Sequence, residues 1–425
     1  MQRSAFLAAG AAAALFATPA FADIDRAAAE QALSEAAALC DGGRALWRET
    51  LCGPMLIADP QTRQVVANRG GPGLDASGKV FLGVLPANLP IANTAVEWNG
   101  RRWTMVMSTA LADDAYDRAS LLMHEAWHRA QLRLGFPAHS PTADHLATPM
   151  ARALMRLEWR ALAVALVTAD ESVRLQAIGD ALAFREFRRW TETAPETERR
   201  LEMNEGLAEY TGLRLSGRPK PEAHLARTLA RMEKGDSFAR SFAYGTGPAY
   251  GLLLDRYARN WTRRLKPGDD LGKLLERAVG SRRLGGHVNV TEAQARYAGE
   301  QVFADERQRH EQHRKAEADW TAKLVTGPVL RLPFAQMNFS FDPNAVFPLP
   351  PHGSVYPSTR ISDAWGVLTV EGGGALIDPN FGGVTVAAPA ADGGLSGPGW
   401  RLELAPGWEL VRGAGSGDWG VRKAR

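Results

Sequence analysis

Residues 113–134 read DDAYDRASLLMHEAWHRAQLRL, a run without glycine or proline that opens on Asp113 and Asp114 and carries Arg129 and Arg133 near its end. Gly135, Phe136 and Pro137 follow directly. Acidic residues at the start, basic residues at the finish and a glycine with proline just beyond are what a helix needs to offset its dipole and stop. The pattern predicts one α-helix. Inside it, His124, Glu125, Ala126, Trp127 and His128 spell HEAWH. Residues four apart share a helix face, so both imidazoles can reach one metal ion, with Glu125 about 100° around the barrel beside them. The neighbours Leu121, Leu122, Met123, Ala126 and Trp127 are mostly apolar, which places the motif in an interior where two unpartnered imidazoles would be costly to desolvate. A metal relieves that cost. The plainer alternative is a pair of hydrogen-bonded histidines on a core helix.

A catalytic zinc site takes three protein ligands and keeps one position for water. Residues 201–212, LEMNEGLAEYTG, supply Glu205 and, one helix turn on, Glu209. Two neutral imidazoles and one carboxylate leave a divalent ion with net positive charge, hence Lewis acidic. Glu209 then suits the second shell, accepting the free ring N–H of a ligand histidine and fixing its tautomer. Read alone, the segment is equally an acidic helix with two solvated carboxylates.

HExxH followed on a later helix by NEGxAEY resembles the gluzincin metallopeptidases, the group that includes thermolysin-like and aminopeptidase N-like enzymes. The resemblance implies that His124, His128 and Glu205 bind Zn2+ and that Glu125 is the general base. It covers two helices, with about 75 residues between the motifs, so further helices must lie between them. The chain has no GxMEN-like segment, which aminopeptidases of this group use to hold a substrate amino terminus. In this family a tyrosine or histidine downstream of the glutamate ligand commonly stabilises the oxyanion. Residues 241–254, SFAYGTGPAYGLLL, offer Tyr244 and Tyr250 at a glycine-rich turn opening a helix, with Pro248 in its first turn. Tyr250 is the preferred donor; His139 and His145 are the other candidates. The family also places a sheet before the HExxH helix, with an edge strand that pairs with extended substrate, and residues 102–108 take that part by resemblance.

Residues 1–22 carry Arg3, an apolar stretch from Ala5 to Ala17 and the small-residue pattern Ala20, Phe21, Ala22. That is the form of a secretory signal, cleaved after Ala22, so the expectation is an exported protein, periplasmic or extracellular. Cys40 and Cys52, the only cysteines, then pair most simply in a disulfide. No other apolar run is long enough to span a bilayer, and no membrane anchor is expected after cleavage. With a formal net charge of +3 over 425 residues, nucleic acid is not an expected partner, and Arg185, Arg188, Arg189, Arg199 and Arg200 read as solvated helix faces.

The expected fold class is α+β: an N-terminal antiparallel sheet within residues 23–112, a mainly helical zincin-like catalytic domain over 113–325, and a Gly-, Pro- and aromatic-rich all-β domain over 326–425. The runs MLIADP, QVVANR, KVFLGVL, TAVEW and RRWTMVMS make the sheet, with Asn99 and Gly100 as a hairpin turn between the last two. The expected function is a secreted zinc metallopeptidase acting on peptides or proteins. A binding protein on a metallopeptidase scaffold and a zinc hydrolase of a non-peptide bond are the alternatives.

Overall fold

The computed structural model describes residues 24–424 apart from 140, 287, 343, 344, 391, 392 and 414; the expected secretory signal, residues 1–22, lies outside them. The fold is α+β, and the chain divides into two compact units between Glu306 and Arg307.

The first unit opens on helix α1 (Arg26–Leu39), capped by the Asp25 carboxylate on the Ala28 N–H, and the short α2 (Gly43–Trp47). Residues 23–112 are therefore not uniformly β-rich. The alanine-rich run RAAAEQALSEAAAL has high helix propensity and puts Ala29, Ala32, Leu33 and Ala36 on one buried face. A disulfide joins Cys40 at the end of α1 to Cys52.

Six strands follow: β1 (Met55–Ala58), β2 (Gln64–Ala67), β3 (Leu74–Ser77), β4 (Val80–Val84), β5 (Thr94–Trp98) and β6 (Arg101–Met107), in the order β3-β4-β2-β1-β6-β5. Asn99 and Gly100 both have positive φ, 51° and 70°, and Trp98 pairs with Arg101 across them, the geometry of a two-residue hairpin. Two expectations change. The sheet is mixed, because β1 and β6 run parallel, with Met55 opposite Thr104. And β6 is an interior strand; the edge is β5. Trp103, Thr104, Met105 and Val106 are all buried, and consecutive burial marks a strand covered on both faces and both flanks.

One face of the sheet packs on helices through Ile57, Val66 and Val106, and the other is closed by Leu56, Val65, Trp98, Trp103 and Met105. The helical layer comprises α3 (Ala115–Gln131), α4 (Pro149–Val167), α5 (Glu171–Arg188), α6 (Ala194–Leu201), α7 (Leu207–Leu215), α8 (Pro221–Met232), α9 (Ala243–Tyr257), α10 (Leu271–Val279) and α11 (Val290–Arg296). A π-helical turn, Glu202–Gly206, links α6 to α7. The division between the units falls inside α12 (Gly299–Thr321). The second unit is a β-sandwich of a seven-stranded and a five-stranded sheet, closed on Leu330, Val384, Ile361, Trp365, Leu368 and Trp400.

Candidate metal centre

Helix α3 starts where the Asp114 carboxylate accepts from the Asp117 N–H, 2.9 Å away. Its length puts His124 and His128 one turn apart over the helical core, with Trp127 buried behind them against Trp47 at 5.7 Å. The carboxylate of Glu205 comes from the π-helical turn. Its Oε2 lies 3.8 Å from His124 Nε2 and 3.5 Å from His128 Nε2. The three ligand atoms lie within 4.8 Å of one another.

Hydrogen bonding around the imidazoles tests whether these residues fit a cation. His124 Nδ1 is 2.9 Å from Glu209 Oε2, and an ionised carboxylate can only accept, so Nδ1 carries a proton. His128 Nδ1 is 2.8 Å from Gln131 Oε1. The Gln131 amide is oriented by donating to Pro137 O at 2.6 Å and to Asn204 Oδ1 at 2.8 Å, so its oxygen faces His128, whose Nδ1 is likewise the donor. Both Nε2 atoms then offer lone pairs, yet they face each other at 3.1 Å beside a carboxylate oxygen. Three potential acceptors converging in a buried place need a proton or a cation among them, and a divalent ion would serve all three at once. The residues fit zinc: two neutral imidazoles, one carboxylate, and a hydrogen-bond acceptor behind each ring.

Glu205 is oriented through both oxygens. Oε1 accepts from Asn204 Nδ2 at 3.1 Å and faces Arg240 Nη2 at 3.4 Å, while Oε2 accepts from the Tyr244 hydroxyl at 2.7 Å. Burial alone would raise its pKa; hydrogen bonding and charge from His128, Tyr244 and His124 outweigh burial and hold it at about 2. Burial would lower the His124 pKa, but the Glu209 hydrogen bond and the charges of Glu125, Glu209 and Glu205 raise it. Glu125 is buried, its Oε2 has no hydrogen-bond partner among the described residues, and burial raises its pKa against the pull of both histidines. A carboxylate held above its ordinary range and left unpartnered is suited to receiving a proton.

Of the candidate oxyanion donors, Tyr244 is at the site and Tyr250 is not. Tyr244 stacks on the His124 ring, 5.8 Å between centroids and 4° from parallel. Tyr250 is fully buried, donates to Glu158 Oε1 at 2.7 Å and lies under the Arg185 guanidinium. Six residues along a helix leave two side chains about 120° apart around the axis, so the two phenols lie on different faces. Helix α9 begins at Ala243, which puts Pro248 in its interior. Close approach of the glycines sets this geometry: a Cβ at Gly206 would sit 2.9 Å from the Gly247 Cα, so the π-helical turn and α9 touch backbone to backbone and Tyr244 reaches Glu205. His145 is 2.8 Å from Glu198 Oε1, and neither His139 nor His145 lines the metal cavity.

That cavity is about 530 Å³. Asn93, Thr94, Ala95 and Arg102 line it on the sheet side, and Leu121, Leu213, Leu225 and Thr228 on the helical side. Sequence reasoning passed over Gln131, Asn204, Arg102 and the edge position of β5; the spacing of Gln131 from His128, three residues on the same helix, was the available signal for the first. Comparisons with protein-family models, with curated proteins and with solved structures find no match to this chain.

Proposed function

We propose that the protein is a zinc-dependent metallopeptidase of zincin-like architecture. The observation that carries the reading is the convergence of both Nε2 atoms and the Glu205 carboxylate, each ring held by an oxygen behind it, beside the unpartnered Oε2 of Glu125. His124, His128 and Glu205 would hold the ion, which when bound supplies Lewis acidity toward water and a carbonyl oxygen. Glu125 takes the proton of the attacking water and passes it to the leaving amine. Tyr244 turns its hydroxyl proton from Glu205 toward the developing oxyanion; burial, followed by the charge of Glu205, raises its pKa, so the phenol donates without ionising. A peptide is favoured as substrate because β5 is an edge strand, at whose start Asn93, Thr94 and Ala95 line the cavity. An open edge hydrogen-bonds an extended chain.

Export is part of the proposal. The Cys40–Cys52 disulfide suits an oxidising compartment, and no helix among the described residues is long and apolar enough to cross a membrane.

The test is a mixed peptide library read by mass spectrometry, with zinc measured on the same sample. Purified protein should contain about one zinc per chain and cleave the library; chelation should abolish cleavage and added zinc restore it. Glu205→Ala should lose both zinc and hydrolysis. A wild-type protein that folds yet binds no zinc ends the reading. Tyr244→Phe should keep its zinc and lower kcat by about 100-fold, with little change in KM, since the phenol acts on charge that develops only in the transition state. An unchanged kcat would return Tyr244 to a packing role.

A further inference from the structure

The sheet-side end of the metal cavity carries an arginine whose hydrogen-bonding capacity is only partly matched. Strand β6 alternates: Trp103 and Met105 enter the core on one face of the sheet, and Val106 enters the helical core on the other. Arg102 shares the face of Val106, toward the helices, and it lines the metal cavity. Its only carboxylate among the described residues is Glu97, its cross-strand partner, which meets Nη1 at 3.2 Å and is itself 65% exposed. Such a solvent-exposed pair is held weakly. Arg102 Nε is buried and has no hydrogen-bond partner among the described residues. The Nε–Nη2 edge, the side of a guanidinium that grips a carboxylate through two parallel hydrogen bonds, is therefore unmatched.

A second cation deepens the imbalance. Arg129, on α3 directly after His128, is only 5% exposed. It donates to Leu51 O at 2.8 Å, its guanidinium lies against Gly53 where a Cβ would collide with it, and no carboxylate among the described residues pairs with it. The cavity's acids do not offset this end. Glu205 and Glu209 are engaged by the histidines, Glu125 lies beside those rings, and Asp117 is paired with Arg218 at 2.6 Å. An arginine in a cavity wall with its buried Nε unmatched, on a strand packed against the helix that carries a second buried cation, favours an anion at that end.

We infer that Arg102 is a specificity-determining residue that binds a carboxylate of the bound peptide at the β5 end of the cavity. The inference rests on the peptidase reading and narrows its substrates to peptides bearing an acidic side chain or a free C-terminal carboxylate near the scissile bond. Arg102 acts through binding and takes no part in proton transfer.

Binding separates this subsite from catalysis. Zinc-loaded Glu125→Gln protein, which binds without turning over, is titrated calorimetrically with three hexapeptides of one neutral backbone: C-terminally amidated, amidated with a single Glu, and neutral with a free C-terminus. One of the two carboxylate peptides should bind about tenfold tighter than the neutral amide, the gain of a charged hydrogen-bonded pair. Which of the two gains identifies the carboxylate's source. Adding Arg102→Met should erase the advantage while the neutral amide binds as before, and Arg102→Lys, which keeps the charge without the fork, should recover only part of it. Thermal melts of each variant establish that it is folded. Equal binding of all three peptides, or an advantage that survives Arg102→Met, overturns the subsite and leaves the peptidase reading standing. If the wild-type protein cleaves no peptide and none of the three binds, the peptidase reading falls and the subsite falls with it.

Discussion

Glu125→Gln should retain about one zinc per chain and lose about a thousandfold in kcat. The substitution keeps the shape and the position on α3 and removes only the ability to take a proton. Glu125 is outside the set of atoms that converge on the metal position, so the zinc content of the variant should equal that of wild type by elemental analysis. Burial already presses Glu125 toward its neutral form, and a neutral amide in the same place relieves that pressure, so thermal stability should hold or rise slightly. The dissociation between intact metal and lost turnover is what distinguishes a base from a ligand, since Glu205→Ala should lose both. Hydrolysis within tenfold of wild type in the Gln variant would remove Glu125 from the chemistry. Water would then have to give up its proton to a group other than the one left unpartnered beside the imidazoles.

What the sequence could declare about this site follows from how local each constraint is. The HEAWH face, the cap at Asp114 and the Asn99–Gly100 turn are set by residues within one or two turns of each other, and helix or hairpin geometry converts their spacing directly into position. Glu205 was legible for a different reason. The expected zinc site calls for a third ligand, and NEGLAEY offers a carboxylate with a second acid one turn on that can face a histidine ring. The π-helical turn that presents it was not legible, because residues 202–206 are all buried and the turn depends on the close backbone approach of Gly206 to Gly247 on a distant helix. The sequence offers Tyr244 and Tyr250 with nothing local to rank them; the preference for Tyr250 does not hold, because Tyr244 lines the cavity while Tyr250 is buried against Glu158, and Pro248, expected in the first turn, lies inside α9. The strand exchange at the sheet edge has a similar origin. The sequence shows that β5 and β6 form a hairpin, but which of the two continues into the sheet depends on the distant β1. Only the consecutive burial of residues 103–106 hints at the answer.

The arginines read as solvated, Arg185, Arg188 and Arg189, give the second large expected effect. All three are buried, and charges of both signs surround them. Arg188 donates through Nε and Nη2 to the two oxygens of Glu198, each at 2.8 Å, and through Nη1 to Glu158. Arg185 pairs with Glu202 and Asp270, and Arg189 with Glu198 and Asp270. Glu158 also accepts from the hydroxyl of Tyr250. This network fastens α4, α5, α6, α9 and the start of α10 to the π-helical turn: Glu202 is its first residue and Glu205 its fourth. Arg188→Ala leaves Glu158 and Glu198 without their central cation in a place water does not reach. Removing one partner from a buried, hydrogen-bonded set costs about 3–5 kcal/mol, far above the effect of cutting a solvated arginine, which is within about 0.5 kcal/mol. Burial pushes the Glu198 pKa up, but Arg188, Arg189 and their hydrogen bonds hold it well below the ordinary carboxylate range. The stability it contributes is thus present above the unfolded-state pKa and lost as pH falls toward the folded one. Arg188→Ala should therefore lower the urea midpoint at neutral pH and flatten the loss of stability on acidification, because Glu198 in the variant, left with Arg189 and His145, gains less from ionising in the folded state. A midpoint within error of wild type would mean that the carboxylates find other partners or water, and that the π-helical turn is held by Arg185 and Glu202 alone.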